Sequence, residues 1–272
     1  MHRVRTAAVA GTFYPGNART LADEVARLLA VAPSQDPHQT LAAPKALIVP
    51  HAGYVYSGST AAAAYAALKP IAHTIRRVVL LGPVHRVSVR GLAAPGVESF
   101  STPLGDVAMD TDAIASLGHL PQVTVSPAAH ALEHSLEVQL PFLQTVLPDF
   151  KLVPLAVGDA SAQEVAEVLS ALWGGQETLI LISSDLSHFL PYAQAQATDR
   201  DTMAHILRLD GPLTHTQACG ATPINGLLLA ARTHQLHAQL LAQCNSGDTA
   251  GDRQRVVGYA AVAFSENDHA IH

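Results

Sequence analysis

Apolar residues along this chain gather into short unbroken runs separated by stretches with helical spacing. The runs are KALIVP (45–50), RVVLLGP (77–83), KLVPLAVG (151–158), TLILISS (178–184) and VVGYAAVAF (256–264), with weaker ones near 89–94, 105–109 and 237–244. The four strong runs before residue 190 are continuous and not alternating, the pattern of strands covered by helices on both faces. Between them Asn17 is placed to cap a helix carrying Leu21, Val25, Leu28 and Leu29 on one face. Ser161 and Glu164 form a capping box ahead of Val165, Val168, Leu169 and Leu172. Thr222-Pro223 reads as a cap followed by proline at the first helical position, with Ile224, Leu227 and Leu228 behind it. Residues 59–68, 136–147 and 192–209 also carry helical spacing.

Strands alternating with helices predict an α/β fold. The expected body is a single three-layer α/β/α domain over 1–264, built on a mixed, largely parallel central sheet, with 265–272 as a flexible C-terminal tail. Short segments with glycine and proline between 89 and 109 leave room for an antiparallel part of that sheet. The stretch VAPSQDPHQTLAAP (31–44) reads as a surface loop.

In open α/β sheets ligands bind beyond the carboxyl ends of the strands. After KALIV comes His51, after RVVLL comes His85, and after TLILI come Asp185 and His188. Taken singly, a histidine at a strand end is usually a hydrogen-bonded structural residue. Three at equivalent positions, with a carboxylate, point instead to a metal site, because neutral imidazole suits iron, copper, zinc and nickel. Cys219 in QACGATPING is the best candidate for a second ligand type. It stands just ahead of a helix start, where the helix dipole favours the thiolate, and Gly220 lets the backbone approach closely. In HALEHSLEVQLPFL (130–143), Glu133, His134 and Glu137 form a polar patch ahead of an apolar helix face. That patch is expected to wall the pocket or orient a ligand, with His134 and Glu137 sharing a face.

Composition narrows the class. Hydrophobic residues make up 49% of 272 and the formal net charge is −6, so the chain is globular and gains nothing from neutralising phosphates; nucleic acid is not an expected partner. No membrane-length apolar run and no convincing signal peptide occur, and two cysteines are too few for a disulfide scaffold; the expectation is a cytoplasmic protein off the membrane. His2, His38, His269 and His272 read as surface or tail residues, and Cys244 as an inert residue near a strand end. Nucleotide-binding, serine-hydrolase and zinc-protease signatures are absent.

Seven segments, AVAGTFYPG, VPHAGYVYSG, LLGPVHR, EHSLEVQLPFL, SSDLSHF, ACGATPI and GYAAVAF, follow one another in that order from about residue 5 to 264. Together they resemble the Memo family and its bacterial and archaeal relatives, the AmmeMemoRadiSam system proteins B. That family in turn resembles class III extradiol ring-cleaving dioxygenases, which hold a non-haem Fe(II) in an α/β fold. By resemblance, His51, His85 and Cys219 match the metal ligands. Asp185 and His188 match the pocket's polar pair, with His188 at the acid/base position. The dioxygenases complete their ligand set with a carboxylate where this chain offers Cys219, and thiolate shifts preference toward softer ions such as copper. The expected protein is therefore a mononuclear His/His/Cys metal protein, loaded with Fe(II) or copper, zinc being a further option. If it is an enzyme, it is expected to be an oxidoreductase of dioxygenase type, with Tyr54 and Tyr56 at the mouth of a pocket for a small molecule or peptide. The resemblance also implies a functional link to a radical-SAM protein. Two other readings use the same residues: a non-catalytic module gripping a ligand in an inherited crevice, and a hydrolase in which His188 is base toward zinc-bound water.

Overall fold

The computed structural model describes residues 3–32 and 42–266. His2, His38, His269 and His272, the middle of the 31–44 loop and residues 267–272 of the expected tail lie outside the described residues. In chain order the elements are β1 (Val4–Arg5), α1 (Ala18–Val31), β2 (Pro44–Val49), α2 (Tyr54–Ala66), β3 (Arg77–Pro83), β4 (Leu92–Ala94), β5 (Ser99–Thr102) and β6 (Gly105–Ala108). They continue with α3 (Thr111–Ser116), β7 (Val123–Val125), α4 (Pro127–Ala131), α5 (Leu140–Val146), β8 (Lys151–Val157) and α6 (Ala162–Ala171). The chain closes with β9 (Thr178–Ser183), β10 (His188–Leu190), α7 (Tyr192–Leu207), α8 (Ala221–Thr233), β11 (His237–Asn245) and β12 (Val256–Ser265).

The four strong runs become the centre of one large mixed sheet. β2, β9, β3 and β8 are adjacent and parallel. The flanks join it antiparallel, β12 pairing with β2 and with β11 and β4 with β8, while the outermost β7 runs parallel to β4. β1, β5 and β6 form a separate small sheet. Successive side chains on a strand point to opposite faces, and here both faces are dry. Leu47, Val49, Val78, Leu80, Leu179 and Leu181 pack under α1, α2 and α5 against Leu21, Val25, Tyr65 and Phe142. Ile48, Val79, Leu81, Val153, Ile180 and Ile182 pack on the other side against Val165 and Leu169 of α6 and Ile224 and Leu227 of α8. Each such side chain contributes about 1.5–3 kcal/mol on burial. α6 and α8 pack closely because Gly226 has no side chain; a Cβ there would lie 2.3 Å from Val165 Cγ1.

The helix signals hold with adjustments. Asn17 accepts from the Thr20 amide, and Ser161 and Glu164 form the reciprocal box. The helix expected at 59–68 begins earlier, at Tyr54, and α8 begins at Ala221 behind Gly220, so Thr222 lies inside the first turn and does not cap it. Residues 136–147 split into a 3-10 turn, Glu137–Gln139, followed by α5. Among the described residues no helix is long and apolar enough to cross a membrane.

Candidate metal centre

Three neighbouring parallel strands end at one place. Two residues beyond Val49, Pro83 and Ser183, the last residues of β2, β3 and β9, stand His51, His85 and Asp185. Neighbouring strand ends spaced about 5 Å apart bring these side chains into reach of one another. The loop after α4 adds His134, and the turn before α8 adds Cys219. His51, His85 and His134 each offer a ring nitrogen, and these donor atoms lie within 4.8 Å of one another.

Each imidazole is held from behind. His51 is buried; its amide donates to Asp185 Oδ1 at 2.7 Å, and its Nδ1 stands 2.9 Å from Ser183 Oγ. Its Nε2 faces Cys219 Sγ at 3.4 Å and Asp185 Oδ2 at 4.0 Å. His85 is gripped twice by Glu133, whose Oε2 accepts the His85 amide at 2.6 Å while Oε1 pairs with Nδ1 at 2.8 Å. The His134 ring lies 4.7 Å from the Phe13 ring and 4.5 Å from that of His85, with Nδ1 3.2 Å from Glu133 Oε1. His188, half-buried, places Nδ1 2.9 Å from the Leu186 carbonyl.

Burial sets the electrostatics. It is the main cause that pushes His51 down to about 3 and His134 down to about 4, with neighbouring imidazoles adding to the effect. Both rings are therefore neutral at pH 7. Burial would raise the Glu133 carboxyl, but its hydrogen bond and charge interaction with His85 and the surrounding amides hold it at about 2. The buried Asp185 carboxyl is raised by desolvation. For Cys219 the dipole expectation fails. Burial first, and the Asp185 charge second, push its thiol up to about 12, although α8 begins two residues later. The close approach expected at Gly220 is real: a Cβ there would lie 2.7 Å from Ser184 Cβ.

The candidates thus divide. His51, His85, His134, Asp185 and Cys219 converge, and Glu133 orients His85. His134, expected at the substrate wall, stands among the donors, whereas Cys219 contacts His51 but is outside the group of three. Tyr54 is not at the mouth: it is 5% exposed and donates its hydroxyl to the Val138 carbonyl at 2.8 Å, while Tyr56 is exposed in the first turn of α2. Glu137 does not share the pocket with His134. It is buried against Arg5, the Tyr14 hydroxyl and the Ala8 and Val9 amides, and ties the N-terminal segment down. Cys244 pairs with Thr60 Oγ1 at 3.1 Å. Phe13, Gln139 and Ser183 were not singled out from sequence; the signal for the last two is a polar residue inside an apolar run.

Comparison with known proteins gives the family of the chain. The family model described as Memo-like protein matches residues 5–263. A MEMO1 family protein of Aquifex aeolicus is 34% identical over 274 residues, covering 96% of this chain and 99% of the relative. One from Archaeoglobus fulgidus is 36% identical over 271 residues, covering 94% and 97%. An uncharacterized protein of Escherichia coli K12 of known structure shares the fold, with a TM-score of 0.51 at 15% identity over 80% of this chain and 98% of that one. With the model and the relatives matched almost end to end, the chain belongs to the Memo-like protein family.

Proposed function

We propose that this is a metal-binding protein whose pocket takes one Fe(II) or copper ion, zinc being the redox-inert alternative, on Nε2 of His51 and of His85. Cys219 and His134 supply the further donors. The observation that supports this most is the convergence within 4.8 Å of three ring nitrogens, two from the ends of neighbouring strands and one from the loop after α4. The donor set fits such an ion. The His51 and His134 imidazoles are neutral at pH 7, so no proton blocks their lone pairs. A tetrahedral ion with bonds of about 2.0–2.1 Å to nitrogen and about 2.3 Å to sulfur spaces the two ligand atoms about 3.5 Å apart. His51 Nε2 and Cys219 Sγ are 3.4 Å apart. Ligation by a thiol held up at about 12 releases a proton, so affinity rises with pH.

When bound, iron or copper supplies redox chemistry toward dioxygen or an organic ligand. The chain's own residues bind and orient. Glu133 fixes the His85 ring, Asp185 anchors the His51 backbone, and His188, with Nδ1 spent on Leu186, keeps Nε2 to take or return a proton at a ligand. Untagged protein, stripped and reloaded, is expected to hold about one ion per chain, and Cys219→Ala and His51→Ala far less. Equal and negligible metal in all three proteins ends the proposal. Ring cleavage of a catechol by the iron-loaded protein in air separates the oxidoreductase from a pocket that only binds.

A further inference from the structure

Resting on that reading and extending it to residues behind the site, we propose that Gln139 and Ser183 form a directional hydrogen-bond relay. It fixes the tautomer of His51, holding the proton on Nδ1 and aiming the Nε2 lone pair at the metal position. Gln139 is 1% exposed, and its amide nitrogen lies 3.0 Å from the Pro50 carbonyl, which can only accept. That contact identifies the nitrogen end of the amide. The opposite end, Oε1, then accepts from the Tyr65 hydroxyl at 2.6 Å. The same NH2 group reaches Ser183 Oγ at 2.8 Å, and an amide NH2 only donates, so it fills one lone pair of the hydroxyl. The Ser183 hydroxyl has a single proton, and the Ser135 carbonyl at 2.6 Å requires it. One lone pair on Ser183 Oγ remains, and His51 Nδ1 at 2.9 Å faces it. That nitrogen must donate. With the proton held on Nδ1, Nε2 is the nitrogen left with the lone pair, and it faces Cys219 Sγ at 3.4 Å.

A hydroxyl is ordinarily ambiguous as a partner of imidazole, because it can give or take. Here the ambiguity is removed from outside, by two backbone carbonyls and a tyrosine. At His85 and His188 a proton is held on Nδ1 by a shorter route, since a carboxylate and a backbone carbonyl accept from their Nδ1 atoms directly. Ser183 and Gln139 are thus positioning residues. They act on the metal through His51, and partners of this kind contribute about 10–100-fold in metal affinity.

The test is long-range proton–nitrogen NMR on the metal-stripped protein at neutral pH, with the His51 ring assigned by its loss in His51→Gln. Wild type should show His51 protonated on Nδ1. Ser183→Ala should shift His51 toward the Nε2–H form and weaken copper or iron binding by about 10–100-fold. Ser183→Thr, which keeps the hydroxyl, should restore both. A wild-type His51 found as Nε2–H or as imidazolium overturns the relay, whether or not any variant folds. So does a Ser183→Ala protein with the tautomer and affinity of wild type. A wild-type chain that takes up no metal yet carries Nδ1–H on His51 overturns the metal reading while upholding the tautomer.

Discussion

β2 buries a polar group at each end, and the two ends are finished differently. At its start Lys45 is 8% exposed, and its ammonium donates to the carbonyls of Trp173, Gly175 and Thr178 at 2.6, 2.7 and 2.8 Å. An ammonium has three protons to give, and all are spent. Just beyond its other end, His51 is buried as deeply, yet only Nδ1 and the amide are spent on acceptors, while Nε2 points toward two more imidazoles, a thiol and a carboxylate. A buried group with every valence satisfied is part of the scaffold. Buried groups whose lone pairs converge are held ready for something that is not protein.

Three measurements test this contrast, two at single residues and one through acid. Lys45→Met strands the buried Thr178 carbonyl and removes the donor to those of Trp173 and Gly175, so it should lower unfolding free energy by about 1–3 kcal/mol while leaving metal affinity within about twofold of wild type. Denaturant titration and metal titration on one preparation check both, and a large loss of affinity with intact stability would erase the contrast. Glu133→Gln should do the reverse. Its Oε1 accepts from His85 Nδ1 and the His134 and Ser135 amides, and its Oε2 from the His85 amide. An amide NH2 placed there faces an N–H donor, so metal affinity should fall about 10–100-fold; unchanged affinity would remove Glu133 from the site. Acid should weaken the metal-free chain gradually. His51, His130 and His134 are pushed down by burial to about 3, 4 and 4, so between pH 6.5 and about 4 the unfolded chain binds protons that the folded one refuses. Stability then falls as pH falls, by about 1.4 kcal/mol per pH unit for each ring. Stability flat between pH 7 and 5 in urea melts would mean that these rings are not held neutral.

The sheet centre was legible because a strand buried on both faces leaves a continuous apolar run, and β2, β3, β8 and β9 are such runs. His51, His85 and Asp185 were legible for the same reason: the run ends, and the polar residue that follows stands at the strand's carboxyl end. The short strands β1, β5, β7 and β10, two to four residues each, carry no readable period. Sequence placed Cys219 near a helix start but could not weigh that dipole against burial and the Asp185 charge, which win. Tyr54 was misplaced because the helix starts five residues earlier than its apolar spacing indicates, turning the ring inward. The Gln139–Ser183 relay spans β9, a 3-10 turn and two backbone carbonyls far apart in the chain, so no local pattern announces it.

The most direct measurement is anomalous scattering at the iron and copper edges from a crystal of untagged, untreated protein. A single peak within about 2.0–2.3 Å of His51 Nε2 and His85 Nε2, lost in crystals of His51→Ala, is the predicted result. Clear density for the side chains with no anomalous signal between them, before and after soaking in either metal, would contradict it.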